Sequence, residues 1–213
     1  RTPLASTKSY LELILQQKFG KLQVAQFEVL HTLDQTMQQA LELLGKMIEL
    51  NTMDHAAIRA SATTVDMREE LQRVYSTLED VAAERQLVVK LPQTKKRFPV
   101  FIDPLQLHSL LETILRNAIS YTEPGGKITV RLEQDKKHCI CSVQDTGIGI
   151  KPAEESSIGK DFFRGERAKE MLPHGTGLSL SFSRQLIQAA QGTLTWKNNR
   201  GDGAIFSIRL PIA

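Results

Sequence analysis

The sequence is poor in cysteine, with only Cys139 and Cys141 in 213 residues. They stand two apart in KHCICSV, which puts both side chains on one face of a strand and matches neither a CxxC redox pair nor a metal quartet. Both are expected to be core thiols in a reducing compartment. Long apolar runs are missing as well. No stretch approaches the roughly 18 residues of a membrane-spanning helix, and none reads as a signal peptide, so any membrane part of the protein is expected outside this chain. Charge of one sign is not concentrated either. The 27 basic and 24 acidic residues are scattered and leave a net charge of +3, which gives no reason to expect nucleic acid as a partner. The local exception, QTKKRF at residues 93–98, is read as a solvated turn. GxxxxGK[ST] and GxGxxG are both absent, which removes a P-loop and a dinucleotide fingerprint. There is no internal repeat and no low-complexity tract.

What is present divides in two. With 41% hydrophobic residues the chain can build a core. From residue 1 to about 54 the apolar positions keep a helical period: Leu4, Leu11, Ile14 and Leu15, then, after FGKLQ, Phe27, Leu30, Met37, Leu41, Leu44 and Ile48. Two stripes joined by a short Gly-containing turn predict an antiparallel helical hairpin, whose single seams are best buried by dimerisation into a four-helix bundle. HAAIRASATT, at residues 55–64, carries little large apolar content and marks a domain boundary.

Beyond it a helix is expected with Leu71, Val74, Leu78 and Val81 on one face. Strands follow near residues 87–91 and 100–102, then a helix entered through Asp103 and Pro104 and running to about Tyr121. KITVRLEQ and HCICSVQD alternate as strands. Residues 146–174 are irregular, and a helix over 176–190 and a final hairpin turning at RGDG complete the pattern. The predicted fold class is α+β, a mixed sheet with helices on one face preceded by a separate helical hairpin. The domains are expected at 1–60 and 61–213.

Four features could carry chemistry. Asn117 interrupts an apolar helix, where an amide is costly unless something binds it. QDTGIGI sets Asp145 at a strand end, with Gly147 and Gly149 allowing close approach of a flat ligand. HGTGLSL puts Gly175 and Gly177 at a helix start, where free N–H groups favour phosphate. The loop between carries Lys160, Arg164, Arg167 and Lys169 and is long enough to be a lid.

In this order, Asn117, Asp145 with Gly147 and Gly149, DFFRG at 161–165 and GTGLSL at 175–180 resemble the N, G1, F and G2 boxes of the sensor histidine kinase ATP-binding domain. The resemblance covers about residues 66–211. It implies an α/β-sandwich of the GHKL class, shared with gyrase, Hsp90 and MutL. RTPL at residues 1–4 is similar to the end of the phosphoacceptor motif of these kinases, which places the phosphoacceptor His three residues before Arg1, outside this sequence.

The resemblance further implies roles. Asp145 receives the adenine amino group, Asn117 holds Mg²⁺, and Tyr121 lines the pocket of ATP. Gly175, Thr176, Gly177 and Leu178 cradle the phosphates. Arg164 reaches the γ-phosphate when the lid closes, while Phe162 and Phe163 anchor the lid. Thr2, four after the phosphoacceptor, guides water in the reverse reaction. The partners implied are a second copy in a homodimer and a response regulator receiver domain, and the implied location is cytoplasmic. His31, His55, His108, His138 and His174 lack the phosphoacceptor context and are read as structural or solvent-facing.

Three positions depart from the family pattern: Thr113 replaces an Asn, Ser120 a Lys and Ser179 a Gly. Thr113 is a weaker metal ligand, and Lys160 or Lys169 is expected to replace the lost cation. These departures motivate an alternative, a nucleotide-binding dimeric scaffold with weak phosphotransfer. A gyrase-like ATPase is the third reading, disfavoured because the base position holds Thr113 with Glu112 only adjacent.

Overall fold

A computed structural model describes residues 2–52, 61–173, 175–199 and 203–213. The chain divides into two compact units, Arg1–Met53 and Asp54–Ala213. The first unit is an antiparallel pair of helices, α1 (Thr2–Leu15) and α2 (Val24–Thr52). Gly20, with φ +126, supplies the left-handed backbone of the turn between them. Of the predicted seam, Leu11 is buried and Ile14, Leu15, Leu30, Met37 and Leu41 are half-buried, Phe27 is exposed, and the side chains of Leu4, Leu44 and Ile48 lie outside the described residues. Tyr10, Val24, Phe27, Val29 and Leu33 remain exposed.

The second unit is α+β. It opens with β1 (Thr63–Asp66), α3 (Met67–Glu84), β2 (Val88–Lys90), β3 (Pro99–Ile102) and α4 (Pro104–Tyr121). It continues through β4 (Lys127–Gln134), β5 (His138–Asp145), α5 (Glu166–Met171), α6 (Ser179–Ala189), β6 (Thr193–Asn198) and β7 (Ala204–Pro211). β1 pairs antiparallel with β3, and the main sheet has the order β2-β4-β5-β7-β6, in which β2–β4 is parallel and every other pair antiparallel.

Alternation along β5 turns Cys139, Cys141, Val143 and Asp145 to the buried side, so both thiols are core residues. Burial pushes the Cys141 thiol up to about 12, far from the reactive thiolate range. Ile128, Val130, Ile208 and Leu210 share this core with α3, α4 and α6. The opposite face is polar, bridged by Ser142 to Ser207 at 2.8 Å and by Arg131 to Gln144 at 3.0 Å.

Asp103 caps α4 by accepting from the N–H groups of Leu105 and Gln106, with Pro104 in the first turn. The apolar stripe Leu107, Leu110, Leu111, Ile114, Leu115, Ala118 and Ile119 then fixes the rotation of the helix. On α3 the buried face ends on Ala82, and Val81 points to solvent at 42% exposure, correcting the predicted stripe. The register Leu71, Val74, Leu78, Ala82 closes with a step of four, which follows the 3.6-residue period around the core better than a further step of three.

Candidate functional site

The ends of α4, β5 and α6 converge on a cavity of about 240 Å³. α4 contributes Arg116, Asn117, Ser120 and Tyr121, and the strand end contributes Asp145 with Ile148, Gly149 and Ile150. Gly175, Thr176 and Gly177 with Ser179 and Leu180 line it at the start of α6, Phe206 lines it from β7, and the lid adds Ile158, Gly159, Phe163, Arg164, Ala168 and Leu172. Its walls are largely aliphatic and aromatic, suited to a flat heterocycle.

Asp145 is only 4% exposed. Its Oδ1 accepts from Gly147 N at 2.9 Å and Ala204 N at 3.0 Å, so neither bond uses Oδ2. Burial raises the carboxyl above its ordinary value, against the lowering pull of these N–H groups. Two glycines permit the arrangement. A Cβ at Gly147 would come within 2.0 Å of the Tyr121 carbonyl oxygen, and one at Gly203 within 2.1 Å of the Asp145 carbonyl oxygen. Gly147 is therefore required for packing and does not line the cavity, unlike Gly149, whose φ is +64. Gly203 was visible in the sequence only as part of a turn.

Asn117 is half-buried, and its amide makes no hydrogen bond among the described residues. An unengaged amide oxygen facing a cavity is a hard donor of the kind Mg²⁺ takes. Thr113, one turn earlier on α4, does not line the cavity. At the other end, the first helical bond of α6 runs from Phe182 N to Leu178 O, leaving the preceding N–H groups at the mouth without helical partners. Leu178 itself is buried at 2% exposure and packs in the core instead of lining the cradle.

Lys160 is exposed and lies near Ser157 Oγ at 3.4 Å. It does not line the cavity, and neither does Lys169. Two arginines do, Arg164 from the lid and Arg116 from α4, the latter paired with Glu112 at 2.6 Å. Arg116 carries no signal in the sequence, because a charged residue beside Asn117 reads as solvated helix surface. Arg164 lines the cavity, yet its guanidinium donates to the carbonyls of Ala168, Leu172, Pro173 and Gly175. In this conformation it stitches the lid to the start of the cradle. Phe162 is exposed with φ +62 and Phe163 lines the cavity, so neither is a buried anchor. Their backbone does the packing, since a Cβ at Gly177 would meet the Phe162 carbonyl carbon at 2.7 Å.

Thr2 stands at the first position of α1. His31 stacks on Phe27 with centroids 6.0 Å apart. His108 Nδ1 meets Glu70 Oε1 at 2.7 Å, and His138 Nδ1 lies 2.9 Å from Arg209. His55 and His174 lie outside the described residues. Among the described residues no group of His, Cys, Asp and Glu could hold a metal, and no helix is long and apolar enough to cross a membrane.

Residues 102–213 match the family described as Histidine kinase-, DNA gyrase B-, and HSP90-like ATPase. The chain belongs to this family. Among its relatives, the circadian input-output histidine kinase CikA of Synechococcus elongatus is 28% identical over 99% of this chain and 28% of its own length. The signal transduction histidine-protein kinase ArlS of Staphylococcus aureus is 29% identical over 98% of this chain and 46% of its own length. The chain thus spans less than half of these curated relatives. Of solved structures, the mycobacterial sensor histidine kinase MprB superposes with TM-score 0.60 at 27% identity, over 70% of this chain and 97% of that one. The second unit is accordingly a GHKL-class ATP-binding domain of the type sensor histidine kinases carry.

Proposed function

We propose that this chain is the core of a cytoplasmic sensor histidine kinase. It would bind ATP and Mg²⁺ and phosphorylate a His upstream of Arg1. It would then pass the phosphoryl group to an aspartate of a response regulator receiver domain. The observation that carries the reading is the convergence of Asn117, buried Asp145 and the open N-terminus of α6 on one lidded cavity. The first unit, with RTPL at its start, would be the dimerisation and phosphotransfer hairpin, and its exposed apolar residues would be covered by a second copy.

Within the site, Asp145 accepts the adenine amino group through Oδ2, and the lack of a side chain at Gly149 lets the ring lie against backbone. The free N–H groups of α6 and its dipole take the phosphates. Asn117 would hold Mg²⁺, which supplies charge neutralisation on those phosphates. In the transfer, the bond from the γ-phosphorus to its bridging oxygen breaks, a bond to an imidazole nitrogen forms, and ADP leaves. The chain's contribution is positioning and electrostatics. Thr2 would orient water for the reverse, phosphatase reaction on the regulator.

The test is a chain extended upstream to include the expected His, incubated with labelled ATP and Mg²⁺. Acid-labile, base-stable label on the protein, abolished by Asp145→Asn, is the expected result, and no label overturns the reading. The scaffold alternative draws support from Ser120 lining the cavity where the family carries Lys. A large gain in label on restoring Asn, Lys and Gly at 113, 120 and 179 would favour it. Glu112, held by Arg116 outside the cavity lining, lends no support to a hydrolytic ATPase.

A further inference from the structure

Two side chains outside all four boxes hold the first half of the lid. Trp196 of β6, the chain's single tryptophan, donates from Nε1 to the Glu155 carbonyl at 3.3 Å. Arg184 of α6 lies over the same ring, with Cζ 5.8 Å from the centroid, and donates to the Gly159 carbonyl at 3.4 Å. The approach is close enough to need a glycine. A Cβ at Gly159 would lie 2.9 Å from Arg184 Cδ and 3.1 Å from Trp196 Cη2, at a φ of +73. Neither Trp196 nor Arg184 lines the cavity, but Ile158 and Gly159 do.

We propose that Trp196 and Arg184 are positioning residues for the nucleotide, fixing the Ile158–Gly159 wall against which ATP binds. The inference rests on the nucleotide-site reading above. A loop free to move must be ordered when ligand binds, at a cost in conformational entropy, and a wall already pinned avoids part of it. A guanidinium held over an indole by cation–π attraction serves this purpose, because neither partner needs the ligand to complete its contacts. The Trp196 ring also packs on Phe206, with centroids 6.4 Å apart. Phe206 stands two residues beyond Ala204, whose N–H holds Asp145 at 3.0 Å. The pinned wall therefore adjoins the adenine end of the cavity, which ATP and ADP share.

Calorimetric titration of the 213-residue chain with ATP and with ADP, in Mg²⁺, tests this at a temperature where circular dichroism shows each variant folded. Trp196→Ala is expected to weaken both nucleotides roughly tenfold, and Arg184→Met several-fold. Because both act through Gly159, the double variant should lose much less than the product of the two losses. Wild-type affinity in Trp196→Ala overturns the proposal, as does a loss confined to ATP. If Trp196→Ala does not fold, Arg184→Met decides by the same criterion. Failure of the wild-type chain to bind either nucleotide overturns the nucleotide-site reading and this inference with it.

Discussion

Burial pushes the Asp145 carboxyl upward while the N–H groups of Gly147 and Ala204 pull it back, and burial prevails. The folded state therefore holds a proton on this group more tightly than the unfolded chain does. The stability gained from that proton is complete below the ordinary value of 3.8 and is lost as pH rises through the raised folded value. In urea titrations at stepped pH, wild type is expected to gain stability relative to Asp145→Asn as pH falls through this window. Arg164 supplies a second test. Lysine keeps the charge but has no planar fork to span four carbonyls. Arg164→Lys is expected to weaken ADP binding about as much as Arg164→Ala, roughly tenfold. A lysine variant that binds ADP like wild type would show that charge alone suffices. Asn117 and Asp145 were legible in the sequence because their types conflict with apolar surroundings or end a strand. The bonding of Arg164 was not, since backbone carbonyls carry no signature in the letters.

Among the elements, the long alternating strands β4 and β5 and the capped helix α4 could be read directly, because their periodicities span eight or more residues. β1 could not. Its four residues, TTVD, show no usable alternation, and their partner β3 lies more than thirty positions away. Asp66 nevertheless ties this corner together, accepting from Arg68 N at the start of α3 and from Phe98 N, both at 3.0 Å. Asp66→Ala removes a cap and strands a buried N–H, so a loss of about 2 kcal/mol in urea denaturation is expected. Gly203→Ala should cost at least as much, roughly 2 kcal/mol or more by the same measurement. Its φ is +94 and its Cβ would strike Asp145 backbone. The lid's short helix α5 was also missed, being six residues without a periodic stripe.

Across the whole molecule, assembly is expected to rest on the helical pair. Phe27, 44% exposed, belongs to a seam read from helical spacing. Phe27→Glu should shift the chain from dimer to monomer in sedimentation velocity at equal concentration, and an unchanged dimer would remove the seam from the interface. The sheet offers little competition for this role. One margin is β2, three residues long and ending at Lys90, with Pro92 two positions on. The other is β6, whose Lys197 is exposed. A short margin, a lysine and a nearby proline give an incoming strand few N–H and C=O groups to extend. The consequence is that the five-stranded sheet is poorly templated for annealing edge to edge with another copy at high concentration.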